Sequence, residues 1–212
     1  MSTFTILLGG DVNPTPRLMG QIAGTRVIAA DSGMAHAAAL GLTPELWLGD
    51  FDSAEPDLFD RFAAVPRKTY PVDKDMTDGE LAIAEAVRLG ASSFILAGAF
   101  GGPRADHAFL HLAAAVSVAE TGFDVLATDG RQEGRAVLHK TNAYDWPAGT
   151  LFSVLPFTDL TGLTISGAKW PLGEVDVSFG SSLTMSNVVE GPLSITLKSG
   201  RALVLAHPDP EV

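Results

Sequence analysis

The chain has 212 residues, a formal net charge of −11, 46% hydrophobic and 18% charged residues, and no cysteine. Such a composition describes a globular chain of one large or two small domains. It excludes disulfides, thiolate catalysis and cysteine-ligated zinc. No Lys/Arg-rich run offers a basic surface for nucleic acid, and no apolar run approaches the ~20 residues of a membrane-spanning helix, so neither partner is expected.

The first strand is expected at Phe4–Leu8, ending in Gly9-Gly10. It is preceded by no basic leader and followed by no small-residue cleavage site, so it reads as a strand rather than a signal peptide. Further apolar runs follow at Arg26–Ala30, Glu45–Leu48, Ser93–Ala97 and Phe123–Ala127. Helical stretches alternate with them: Pro16–Ala23, Met34–Gly41, Pro56–Ala64, Thr77–Leu89 and Arg104–Thr121. This alternation predicts an α/β fold with a mostly parallel sheet and helices on both faces. After Gly130 the character changes to short β-prone runs at Arg135–Lys140, Leu151–Leu155, Leu163–Ser166, Leu193–Lys198 and Ala202–Ala206. Thr161-Gly162, Glu190-Gly191-Pro192 and Ser199-Gly200 read as the turns between them. We therefore expect two domains, 1–130 and 131–212, the second an all-β sandwich or barrel.

Ligands of open parallel sheets bind beyond the carboxyl ends of the strands. Those ends carry Asp31-Ser32-Gly33, Gly49-Asp50-Phe51-Asp52-Ser53 and a glycine-rich run from Gly98 to Gly102. Asp50 and Asp52, two apart, face the same way if the backbone is extended. Close carboxylates repel unless a proton or cation intervenes, and Mg²⁺ suits carboxylate and phosphate oxygens together. The same five residues also suit a polar turn with an Asp helix cap. In Lys74-Asp75-Met76-Thr77-Asp78-Gly79-Glu80, Thr77 and Glu80 form a T-x-x-E capping box, with Asp78 in the first turn of the helix. The run Gly98-Ala99-Phe100-Gly101-Gly102-Pro103-Arg104-Ala105-Asp106-His107 is a glycine-rich entry to a helix, whose backbone N–H groups and Arg104 suit an anion. Neither G-x-x-x-x-G-K-[S/T] nor G-x-G-x-x-G nor G-x-S-x-G occurs.

Taken in order, A-D-S-G-M-A-H, L-G-D-F-D-S, K-D-M-T-D-G-E, G-A-F-G-G-P-R-A-D-H, G-A-K-W-P-L and M-S-N resemble the thiamine pyrophosphokinase family over nearly the whole chain. The resemblance implies an N-terminal α/β catalytic domain that binds ATP and a C-terminal β-sandwich that binds thiamine and dimerises. It implies a cytoplasmic homodimer, with the active site at the dimer interface, that moves pyrophosphate from ATP to the thiamine hydroxyl. The products are thiamine diphosphate and AMP. By matching position, Asp50, Asp52 and Asp78 are the acidic catalytic and Mg²⁺-binding residues. Asp31, Ser32, Gly33, Lys74, Thr77, Arg104, Asp106 and His107 surround the nucleotide, and Trp170, Ser186 and Asn187 line the thiamine pocket. Departures occur at Ser32, where the family has a second glycine, at His36, where it has Asn, and at Pro103, which stands as an insertion before Arg104. Two alternatives are weighed beside this reading. One is a Mg-dependent phosphatase, since D-x-D resembles the motif of haloacid-dehalogenase-type enzymes. The other is a non-catalytic thiamine or nucleotide binding protein.

Overall fold

In the computed structural model, which describes residues 2–73 and 75–208, the buried runs of the first half become the strands of a parallel sheet. These are β1 (Ser2–Leu7), β2 (Arg26–Ala30), β3 (Leu46–Gly49), β4 (Arg67–Thr69), β5 (Ala91–Ala97) and β6 (Asp124–Thr128), in the order β6-β5-β1-β2-β3-β4. Every pairing between them is parallel. The last four residues of β1, β2, β5 and β6 are all buried, as strands covered on both faces must be. β4 was not anticipated. Its sequence, Arg-Lys-Thr, is exposed at the sheet edge and carries no apolar signal.

Helices α1 (Pro16–Ile22), α2 (Ala35–Ala39), α3 (Pro56–Arg61), α4 (Asp78–Arg88) and α5 (Ala105–Glu120) link the strands. The chain moves outward from β1 to β4, then returns through α4 to β5 on the other side of β1. The order thus reverses between β1 and β5, which opens a crevice beyond their carboxyl ends. Trp47, wholly buried, anchors a core with Leu7, Leu18, Met34 and Leu126.

The described chain divides into two compact units. One holds the chain up to Ala114 together with Phe123–Gly130; the other holds Ala115–Gly122 and the chain from Arg131 onward. The second unit is β-rich, as expected. Its strands are β7 (Glu133–Val137), β8 (Thr141–Tyr144), β9 (Leu151–Pro156), β10 (Leu160–Ala168), β11 (Leu172–Val177), β12 (Asn187–Thr196) and β13 (Ala202–His207). β7, β13 and β9 pair antiparallel, and β9 takes the first residues of β12. The rest of β12 pairs with β10 and β8, and β10 with β11. One strand therefore serves two sheets, and Phe152, Val154, Leu163, Ile195 and Val204 fill the core between them.

The run Glu190-Gly191-Pro192, expected as a turn, lies inside β12 instead. The register against β10 breaks there, from Ser166 opposite Ser194 to Ala168 opposite Val189. Gly167, with φ +79°, permits the close approach, because a Cβ there would lie 2.2 Å from the Pro192 carbonyl oxygen. Glycine and proline mark a bulge at this point rather than a chain reversal.

Glu85 on α4 is the one acidic side chain of the first unit with a strongly lowered pKa and two cationic partners among the described residues. Arg88 Nη2 lies 2.6 Å and Lys68 Nζ 3.1 Å from its oxygens. Hydrogen bonds from Arg88, then from Lys68, hold its pKa down at about 2 against an ordinary 4.5. A depressed folded-state pKa contributes stability that is fully present above the unfolded value and lost as pH falls through the folded one. Glu85→Gln is therefore expected to flatten the stability curve between about pH 4.5 and about pH 2, as measured by urea unfolding across that range.

Candidate active site

Beyond the carboxyl ends of β1, β2 and β3 lies a cleft of about 740 Å³. Asp31, Ser32, Asp50, Asp52, Thr77, Asp78, Arg104 and His107 all line it. Among the described residues, its walls come from the first unit.

Asp31 directly follows β2 and opens a 3₁₀ turn, Asp31–Met34, with φ +43°. Few non-glycine residues adopt that conformation, and those that do collect at functional sites. Here it is held from beneath, since Trp47 Nε1 donates to the Asp31 carbonyl at 2.8 Å inside the core. Gly49 gives the side chain room, because a Cβ there would lie 3.1 Å from Asp31 Cβ. Asp31 is 8% exposed, and its Oδ1 has no hydrogen-bond partner. Burial, then the charges of Asp78, Asp50 and Asp52, push its pKa above the ordinary carboxylate value.

Asp50 and Asp52 converge on the same cleft, but not through an extended strand. Phe51 between them has φ +64°. Its ring packs edge-on against Trp47 and Phe59, with centroids 5.0 and 5.9 Å apart. The aromatic thus turns inward while the flanking carboxylates reach the cleft. The Asp52 N–H donates to Asp50 Oδ1 at 3.3 Å, and the Ser53 hydroxyl to Asp52 Oδ1 at 2.9 Å. Asp31, Asp50 and Asp52 each offer a carboxylate oxygen, and these oxygens lie within 4.8 Å of one another. An all-carboxylate set with a buried, unpartnered oxygen fits a hard divalent cation such as Mg²⁺. The expected set named Asp78 as the third member. Asp78 lines the cleft, half-buried, but stands outside this closest cluster.

The Thr77–Glu80 capping box forms as the sequence implied. The Thr77 hydroxyl donates to Glu80 Oε2 at 2.9 Å and accepts from the Glu80 N–H at 3.3 Å. Thr77 therefore lines the cleft with its hydroxyl already engaged. Arg104 and Asp106 form a bidentate pair, Nε to Oδ1 at 3.0 Å and Nη2 to Oδ2 at 2.7 Å. The guanidinium holds the Asp106 carboxyl well below its usual range. Arg104 lines the cleft with its fork occupied by Asp106, which does not line it. Gly33 is buried and away from the cleft surface, and Lys74 lies outside the described residues.

The departures at Ser32 and His36 have local explanations. A Cβ on Gly9 would lie 2.7 Å from Ser32 Oγ, so the missing side chain at Gly9 makes room for the hydroxyl. His36 Nε2 lies 2.8 Å from the Gly10 carbonyl oxygen. A carbonyl only accepts, so Nε2 carries the hydrogen and pins the Gly9-Gly10 strap. Burial lowers the pKa of His36. Motif reading missed His111, which also lines the cleft and whose buried Nδ1 has no hydrogen-bond partner. It sits one helical turn beyond His107, and that spacing was the available signal.

In the second unit, Trp170 and Asn187 are brought together. The Trp170 N–H donates to Asn187 Oδ1 at 3.1 Å, and Asn187 Nδ2 donates to the Trp170 carbonyl at 2.8 Å. Buried Asn187 thus fixes the backbone from which the 53% exposed Trp170 ring projects, with the Lys169 ammonium 4.8 Å from the ring centroid. Ser186, next to Asn187, is exposed with φ +58°.

The family model for the thiamin pyrophosphokinase catalytic domain matches residues 23–127, and that for the thiamin pyrophosphokinase vitamin B1 binding domain matches residues 138–202. The chain belongs to the thiamine pyrophosphokinase family. A thiamine pyrophosphokinase of Bacillus subtilis (strain 168) is 29% identical over 194 residues, which cover 88% of this chain and 89% of that protein. The crystal structure of a Bacillus subtilis thiamine pyrophosphokinase superposes with a TM-score of 0.85 at 25% identity, over 98% of this chain and 100% of that one. The thiamin pyrophosphokinase of Candida albicans shares the fold, with a TM-score of 0.82 at 13% identity over 98% and 89% of the two chains. These likenesses do not favour a phosphatase or a non-catalytic binding protein.

Proposed function

We propose that this family member transfers the pyrophosphoryl group of ATP to the hydroxyl of thiamine, giving thiamine diphosphate and AMP. The observation that carries this reading is the convergence of Asp31, Asp50, Asp52 and Asp78 on one cleft at the carboxyl edge of the parallel sheet. The thiamine hydroxyl oxygen attacks the β-phosphorus of ATP, the bond from that phosphorus to the oxygen bridging the α- and β-phosphates breaks, and AMP departs with the bridging oxygen. Such transfers depend on positioning and charge neutralisation more than on covalent help from the protein. Asp50, Asp52 and Asp78 are the residues proposed to hold Mg²⁺. Bound there, the ion offsets negative charge on the phosphate oxygens. The hydroxyl proton passes to one of these aspartates; Asp106, off the cleft and held by Arg104 well below the usual carboxylate range, is a poor acceptor. Arg104, pre-oriented by Asp106, stabilises the transferred group, and Lys74 is proposed to share that role.

AMP formation from ATP and Mg²⁺, with and without thiamine, tests this reading when thiamine diphosphate is detected in parallel. Thiamine-dependent AMP matched by thiamine diphosphate is the expected result. A folded, thiamine-binding protein that forms no AMP would overturn it.

Trp170, Ser186 and Asn187 are proposed thiamine contacts. A cationic aromatic ring suits stacking on an exposed indole. Trp170→Ala is expected to raise the KM for thiamine severalfold while changing stability by less than about 0.5 kcal/mol, since the ring is 53% exposed. Steady-state kinetics beside thermal melts check this. The proposal extends to a cytoplasmic homodimer. Light scattering tests the assembly, and cell fractionation tests the location. The absence of cysteine agrees with a reducing compartment.

A further inference from the structure

We infer that His111 is a further contact for the polyphosphate chain, its Nε2–H donating to a phosphate oxygen at the inner end of a row that begins at Arg104. This deepens the pyrophosphotransfer reading and rests on it for the identity of the ligand.

α5 and the residue before it turn one stripe of nitrogen-bearing side chains to the cleft. Among the described residues, Arg104, His107 and His111 are the side chains lining it that carry nitrogen. They stand three and four residues apart, the spacing that stacks side chains on one face of a helix. The His107 and His111 ring centroids lie 6.4 Å apart. Seven residues of helix rise about 10 Å, so the row follows an extended chain of phosphates rather than marking one point. The cleft is otherwise rich in carboxylates, which cannot donate to a phosphate oxygen when ionised. Arg104 already engages Asp106 through Nε and Nη2, so donors beyond it matter.

The two ring nitrogens of His111 have different surroundings. Nδ1 is buried and has no hydrogen-bond partner. A neutral imidazole carries one hydrogen. On Nδ1 it would be an orphaned buried donor, so it belongs on Nε2. Burial, then the charge of His107, lowers the pKa of the ring, in keeping with the neutral form. Nε2 faces the first turn of α4, where a Cβ on Gly79 would lie 3.7 Å away. Gly79 has no side chain to cover it, and one would also crowd Leu8 Cδ2, at 3.0 Å. The donor is therefore left open beside Thr77 and Asp78, which line the same cleft. Packing explains a ring at this place but not its polarity, because a phenylalanine would fill the space without burying a nitrogen. A proton acceptor of this type is ordinarily oriented through its other nitrogen, and Nδ1 has no such partner. A neutral donor is the role that remains.

Calorimetric titration of the full chain with Mg²⁺ and α,β-methylene ATP, without thiamine, tests the contact. The methylene bridge blocks cleavage, so binding alone is read. His111→Phe keeps a ring and removes both nitrogens. It is expected to weaken binding by about tenfold, the effect of losing one hydrogen bond to a charged acceptor. His111→Gln returns an N–H near the place of Nε2 and is expected to bind within about threefold of wild type. Wild-type affinity in His111→Phe, or an equal loss in both variants, overturns the assignment. Should His111→Phe fail to fold, a crystal structure of the wild-type complex decides. Nε2 within hydrogen-bond distance of a phosphate oxygen is expected there, and any other placement of the phosphates overturns it. Because thiamine is absent, a protein that binds the analogue through His111 but forms no thiamine diphosphate sinks the transfer reading alone. One that forms thiamine diphosphate while His111→Phe keeps the wild-type KM for ATP sinks this inference alone.

Discussion

Asp52→Asn is expected to lower thiamine-dependent AMP formation by at least about 10²–10³-fold, the cost of losing one charge-stabilising contact at the reacting phosphates. Asp52 is exposed at the cleft, and its recorded hydrogen bonds are local, to Ser53 through the side chain and to Asp50 through its own N–H. An amide of the same shape keeps an acceptor for the Ser53 hydroxyl, so the fold has little to lose. Surface substitutions of this kind usually change stability by less than about 0.5 kcal/mol. What disappears is a negative charge in a cluster of three carboxylates. The effect should therefore fall on turnover, and raising Mg²⁺ should recover only part of it. Initial rates of AMP release across a Mg²⁺ series, paired with urea unfolding, separate the two. Near wild-type turnover in a folded variant would remove Asp52 from the site.

What could be read in the sequence depended on how local the cause was. The five principal strands of the first unit carry their own signal in continuous apolar runs. The box at Thr77 and Glu80 is a contact within one helical turn, and it forms as read. β4 could not be seen, because three polar residues become a strand only through their partner β3. Pro192 misled because proline favours turns on average, whereas here it sits in the bulge where the register of β12 against β10 breaks. The aspartates of the site were legible as residue types at strand ends, but their grouping was not. Asp31 joins Asp50 and Asp52 through the pairing of β2 with β3, and Asp78 sits outside that set although its motif is no weaker. The turn at Phe51 was equally hidden, since it depends on an aromatic contact with Trp47. Membership in the family was legible because it rests on the order of many motifs rather than on any one of them.

Gly33→Ala is expected to destabilise the first unit by about 1–3 kcal/mol, toward the upper end of what overpacking costs. The family resemblance implies Gly33 beside the nucleotide, and the structure buries it against the end of β1. A Cβ there would lie 2.2 Å from the Leu7 carbonyl oxygen, 2.6 Å from its carbon and 2.9 Å from the Leu8 nitrogen. All three are backbone atoms at the buried end of β1, so none can rotate aside as a side-chain tip would. Leu8 N also donates to the Ala97 carbonyl, which ties the same stretch to β5. Relief must come from moving the 3₁₀ turn outward, and that turn begins at Asp31. The added methyl should thus lower stability and activity together. Urea unfolding and ATP kinetics distinguish this from a nucleotide contact. A variant with unchanged stability and a raised KM for ATP would place Gly33 against the nucleotide after all. Reduced stability with a fall in turnover would show that the glycine serves the site through the backbone it lets approach.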